Sequence, residues 1–172
     1  MTTDSPHFRT LAHTPTILRG WLDGMDPDAM VWKPAADRWS IREVLAHLAD
    51  VERRNIFKRV RDIATLDDPE IIDYDQMVEY EKGTYSSGSG QENLDDLCAV
   101  REESLAFLRE MPKSAWDRSA THHVVGTVTV TNLMSLWAFH DLSHIRQIAE
   151  LKKAVEFWDG IGPLQHYYSV SP

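Results

Sequence analysis

Residues 39–50 read Trp39-Ser40-Ile41-Arg42-Glu43-Val44-Leu45-Ala46-His47-Leu48-Ala49-Asp50. A serine followed three residues later by glutamate, just ahead of an apolar run, is the mark of a capping box. The Ser40 hydroxyl takes the Glu43 N–H, and the Glu43 carboxylate reaches back to the Ser40 N–H. Ile41, Val44, Leu45, Leu48 and Val51 then recur at helical spacing, which predicts a helix out to about residue 64. His47 lies at the margin of that stripe, where it can point inward.

Working outward, three more segments carry the same periodicity. Residues 5–24 place Phe8, Leu11, Leu18, Trp21 and Leu22 on one side, and Pro15 predicts a kink or a split within them. Residues 26–37 hold Pro27 and Pro34 and read as a connector. Residues 65–90 form a long acidic connection ending in Ser86-Ser87-Gly88-Ser89-Gly90, with room for a short helix over 74–81. Neighbouring antiparallel helices need only short loops, so this length predicts a crossover from helix two to helix three. Helix three is expected over 91–111, with Leu94, Leu97, Cys98, Leu105 and Leu108 on its face and Pro112 as its stop. The run Val124-Val125-Gly126-Thr127-Val128-Thr129-Val130 is read as an extended lead-in, although alone it would pass for a strand. Thr129 or Thr131 then caps helix four, which runs to about residue 153. The tail is expected to pack on the bundle without a long helix. The fold class is therefore all-α: one domain over 1–172, a four-helix bundle with a long crossover between helices two and three.

Composition narrows the function classes. The chain has 172 residues, and 42% hydrophobic content is ordinary for a globular domain. Lys plus Arg total 18 against 27 Asp plus Glu, a formal charge of -9. That sign argues against nucleic acid as a partner, because phosphate binding needs a basic face. The single cysteine, Cys98, makes no internal disulfide, which fits a cytoplasmic location. No apolar run approaches a membrane span, and the N-terminal residues lack the pattern of a signal peptide.

Helix four carries His140 and His144. A spacing of four puts both rings on one face, about 40° apart. Leu133, Trp137, Ile148 and Leu151 project within roughly 40° of His144, so the imidazoles sit in the buried stripe. Burying such a polar group without a partner costs on the order of 2 kcal/mol or more. A divalent transition metal satisfies neutral imidazoles, and His47 is the natural third ligand. Three protein ligands leave positions open, as in catalytic sites, whereas structural zinc sites close with four. The alternative is a chance His-x-x-x-His pair bonded to backbone or carboxylate. His122 and His123 are adjacent, so their side chains are expected to diverge, and they read as ordinary loop histidines, with a place at the pocket mouth as the alternative; His7, His13 and His166 have no partner at ligand spacing.

Arg101 is the other anomaly, flanked by leucines on helix three. A buried guanidinium needs acids, and Glu52, Glu43 or Asp141 can supply them. Its functional alternative is a substrate-binding role, holding a carboxylate near the metal. Asp50, one turn from His47, and Asp141, beside His140, are candidates for orienting an imidazole; both can equally be solvated helix acids.

Residues 39–50 together with His140-Asp141-Leu142-Ser143-His144-Ile145-Arg146-Gln147-Ile148 resemble the DinB-like superfamily, also called YfiT-like metal-dependent hydrolases. Leu11-Ala12-His13-Thr14-Pro15, Arg101 and Gly126-Thr127-Val128-Thr129 extend the similarity over most of the chain. The resemblance implies a four-helix bundle with a long crossover, commonly a homodimer. It also implies a site for nickel, zinc or a similar ion, whose ligands map to His47, His140 and His144. Characterised members of the family include thiol-dependent S-transferases and a maleylpyruvate isomerase that use low-molecular-weight bacterial thiols. The expected activity is therefore transfer of a small thiol cosubstrate to an electrophilic small molecule, or hydrolysis. The alternative is a non-enzymatic, stress-related metal-binding or interaction module.

Overall fold

The computed structural model describes residues 5–67, 69–71 and 73–168. The ends of the expected 1–172 domain and two residues of the crossover lie outside the described residues. Among the described residues no helix is long and apolar enough to cross a membrane.

Helix α1 spans Pro6–Leu22, with Ser5 as its cap. The connector contains a short helix, α2 (Pro27–Val31). The second long helix begins at the expected capping box: the Glu43 N–H donates to Ser40 Oγ at 3.3 Å and the Ser40 N–H to Glu43 Oε2 at 2.9 Å. It runs as α3 (Ile41–Val51), a π-helical stretch Glu52–Ile56 and α4 (Phe57–Thr65). The crossover carries α5 (Gln76–Glu81). Helix α6 (Gly90–Glu110) opens on a second capping box, Ser89 with Glu92, and α7 (Val130–Phe157) on a third, Thr129 with Asn132. The tail, Asp159–Tyr167, coils in 3-10 turns, as expected of a segment without a long helix.

The structure corrects two expectations. Pro15 does not split α1, which is one continuous helix. Proline deprives the Leu11 carbonyl of its helical donor, and Arg101 Nη1 donates to that oxygen at 2.8 Å instead. The lead-in to α7 is the second strand of a hairpin: β1 (Ser119–His122) pairs antiparallel with β2 (Gly126–Thr129). Gly126 takes φ 76° at the end of the turn, a conformation open to glycine. Ser-Ala-Thr-His has no apolar alternation, so β1 gave no signal of its own.

The direction of the helices follows from their cross-contacts. Asn93 donates to the Arg42 carbonyl and Arg101 to Glu52, so α6 runs parallel to α3. Likewise His7 meets Ser135 and Thr14 meets Asp141, so α1 and α7 are parallel. Phe57 meets Trp137 and His47 meets His144, so the second long helix and α7 are antiparallel. Because helices two and three are parallel neighbours, the chain must return the length of a helix between them. That requirement accounts for the long connection.

The core falls into two apolar clusters. One gathers Leu11, Ile56, Phe57, Leu108, Met134 and Trp137; the other gathers Leu18, Val44, Leu48, Leu94, Leu97 and Ile148. On their helices, the buried polar residues Thr14, Arg101 and Asp141 fall between the positions that feed the two clusters, and Glu52 joins them through its ion pair with Arg101. The bundle is thus divided by a polar layer, with the histidines beside it.

Candidate metal centre

His47 projects from α3, and His140 and His144 project one turn apart from α7. The antiparallel crossing of these helices brings all three rings together. His140 Nε2 lies 3.2 Å from His47 Nε2 and 3.2 Å from His144 Nε2. The ring centroids are 4.5–5.2 Å apart. A neutral imidazole Nε2 offers either one donor or one lone pair, so His140 cannot satisfy both neighbours as hydrogen bonds. A cation accepting all three lone pairs can. Tetrahedral ligands at about 2.0–2.1 Å from zinc lie about 3.3 Å from one another, so the donors fit a borderline divalent ion.

Electrostatics favours the same state. Burial, with His144 and His140 beside it, pushes His47 down to about 2. Burial and His144 push His140 down to about 4. Burial also lowers His144, against the Gln147 hydrogen bond and Asp141. At neutral pH the three rings are unprotonated, the form in which imidazole binds a metal.

Neighbouring side chains hold the rings. His144 Nδ1 lies 2.8 Å from Gln147 Oε1, so the ring donates there and leaves Nε2 as the acceptor. His47, fully buried, is clamped edge-on by Trp39 at 4.9 Å and Tyr85 at 5.2 Å between centroids. Among the described residues its Nδ1 has no hydrogen-bond partner. His140 and His144 are half-buried. No fourth His, Cys, Asp or Glu joins the cluster among the described residues.

Arg101 lies elsewhere in function. It is 1% exposed, and all its nitrogens are engaged. Nε donates to Glu52 Oε2 at 2.9 Å, Nη1 to Asp141 Oδ2 at 2.7 Å and to the Leu11 carbonyl, and Nη2 to Asp141 Oδ1 at 3.0 Å and to Glu52. Burial opposes the charge, yet Asp141 and Glu52 hold Arg101 above its ordinary value. No donor remains for a substrate carboxylate, so the geometry corrects the substrate-binding reading and favours the structural ion pair. Nor does Asp50 orient an imidazole: its carboxylate accepts from Arg54 and from the Tyr74 hydroxyl at 2.5 Å. Asp141 accepts from Arg101 and from Thr14 Oγ1 at 2.6 Å, and acts on His140 and His144 only through its charge.

Sequence reasoning missed Gln147, Trp39 and Tyr85 as supports of the rings. Gln147 stands three residues after His144, a spacing that faces it on a helix, so that signal was present. Tyr85 comes from the crossover, and nothing local places it on His47. Gln147 and Trp39 also line a cleft of about 640 Å³, walled by Trp32, Phe157 and Trp158.

Comparison with known proteins agrees with this architecture. YfiT from Bacillus subtilis, described as a probable metal-dependent hydrolase with an unusual four-helix bundle topology, superposes with a TM-score of 0.75 at 24% identity. The match covers 86% of this chain and 84% of that one, and it shows the shared fold. The uncharacterized protein YuaE of Bacillus subtilis is 26% identical over 146 residues, 78% of this chain and 90% of YuaE. A protein of Oceanobacillus iheyensis named "Putative metal-dependent hydrolase OB0782" is 22% identical over 139 residues, 81% of this chain and 80% of its own. The family model of the DinB superfamily matches residues 10–148, and the chain belongs to that superfamily.

Proposed function

We propose that His47, His140 and His144 bind one divalent transition-metal ion, nickel or zinc, and that the protein is a metal-dependent enzyme acting on a small electrophilic molecule. The observation that carries this reading is the meeting of three neutral imidazoles, with His140 Nε2 3.2 Å from the Nε2 of each of the other two, and no fourth His, Cys, Asp or Glu in the cluster among the described residues. A metal with an open position lowers the pKa of water or a thiol and polarises the group under attack. The chain's own part is positional. Gln147 fixes which nitrogen of His144 is the ligand, Trp39 and Tyr85 lock the His47 ring, and the cleft lined by Gln147, Trp39, Trp32 and Trp158 offers apolar walls to a bound molecule.

Two nucleophiles fit. Transfer of a low-molecular-weight thiol follows from the resemblance in the sequence. Hydrolysis is supported by the names of YfiT and OB0782. An activity screen separates them: metal-loaded protein is offered chlorodinitrobenzene with bacillithiol, mycothiol or glutathione, and nitrophenyl acetate without thiol. Thiol-dependent turnover lost in His144→Ala supports transfer, and thiol-independent turnover lost in the same variant supports hydrolysis. Turnover undiminished in a metal-free His144→Ala protein would reject both. A non-enzymatic role, with the ion only tying α3 to α7, predicts metal binding with no turnover in any arm.

A further inference from the structure

We propose a second divalent-metal site, independent of the buried one, formed by Asp73 of the crossover with His122 and His123 at the tip of the β1–β2 hairpin. The ligand atoms of these three residues all lie within 4.8 Å of one another. His123 Nε2 is 3.4 Å and His122 Nε2 is 3.7 Å from the Asp73 carboxylate, one on each oxygen. These separations are within a few tenths of the roughly 3.3 Å expected between tetrahedral zinc ligands.

The local backbone makes this arrangement. Adjacent residues on a strand point to opposite faces, but His122 ends β1 and His123 begins the turn. Their rings stack instead, 4.9 Å between centroids and 11° from parallel, and both present Nε2 to Asp73. Two imidazoles and a carboxylate suit zinc, copper or nickel better than calcium or magnesium. His123 also borders a cleft of about 470 Å³ with Pro69, Glu70 and Ile71, which leaves room for further ligands such as water.

Two features oppose the ion and sharpen the test. The Val124 N–H donates to His122 Nδ1 at 3.1 Å. Ligation through Nε2 moves the ring proton to Nδ1, so this exposed bond must pass to water. Arg59 acts electrostatically on Asp73 and competes with a cation there. The consequence of binding is a tether between crossover and hairpin. Tyr74, next to Asp73, hydrogen-bonds Tyr85 at 2.5 Å, and Tyr85 packs on His47.

Equilibrium dialysis of the full chain against Zn2+ tests the site. Wild type should hold two equivalents. Asp73→Asn and His123→Ala should each weaken one of them by roughly 10-fold or more, and Arg59→Gln should tighten it. The double variant His47→Ala/His144→Ala should keep that equivalent, and Zn2+ should speed exchange of its Val124 amide. A single wild-type equivalent lost in Asp73→Asn would sustain this site and sink the buried one instead. Zinc stoichiometry and affinity unchanged by both Asp73→Asn and His123→Ala would overturn the proposal.

Discussion

Two polar clusters lie side by side in the middle of this bundle, and they differ in whether their hydrogen-bonding capacity is met. Around Arg101 every guanidinium nitrogen finds an oxygen from Glu52, Asp141 or Leu11. Around His140 three nitrogens converge, and no assignment of protons satisfies them all. Burial alone therefore does not mark a functional group. The informative feature is a set of acceptors that the protein itself leaves without a donor.

The largest expected effect breaks the satisfied cluster. Arg101→Met strips Glu52, Asp141 and the Leu11 carbonyl of their guanidinium donor, leaving buried acids without a counter-charge, and should cost about 3–5 kcal/mol in chemical denaturation. Zinc stoichiometry of whatever folds should stay that of wild type, because Arg101 is no ligand. Metal sharpens the other cluster. Zn2+ at about 100 times the dissociation constant of the buried site should stabilise wild type by about 2.7 kcal/mol through that site alone. In His144→Ala the part of this gain due to the buried site should vanish while the far-ultraviolet helical signal persists.

The fold was legible where its signals are local. Ser40 with Glu43 is a capping box in sequence and in space; Ser89 with Glu92 forms a second one that its reading as the end of the connection passes over, although its spacing is the same. What escaped depends on distant partners. The split allowed for at Pro15 did not occur, because the donor that takes up the freed Leu11 carbonyl comes from α6, ninety residues away. The π-helical stretch puts Glu52 against Arg101, and its periodicity is too close to that of an α-helix to be read from five residues. In the site, the shared face of His140 and His144 was readable from spacing. The role of Asp50 was readable only in part: Arg54 stands at i+4 on the same helix, but Tyr74 claims the carboxylate from the crossover, whose placement no local pattern states.

The pH dependence of the metal-free protein separates the clusters further. His47 and His140 stay neutral when folded down to about 2 and about 4, whereas unfolded histidines protonate near 6.5. Below about pH 6.5 the unfolded chain binds more protons, so stability falls as pH drops from about 6.5 toward 4. Thermal melts across this range should show the loss, on the order of 1 kcal/mol or more per ring. His47→Phe, which removes one of these rings, should flatten the slope. The smallest effect concerns orientation. Gln147→Ala frees the His144 ring without removing a ligand, and should weaken zinc binding about 10-fold in a competition titration.

X-ray absorption at the zinc edge, on protein carrying Asp73→Asn and loaded with one equivalent of Zn2+, tests the central claim most directly. The account predicts three imidazole nitrogens at about 2.0–2.1 Å, with oxygen ligands such as water completing the shell. A shell containing sulfur, or one of oxygens with fewer than two imidazoles, would contradict it.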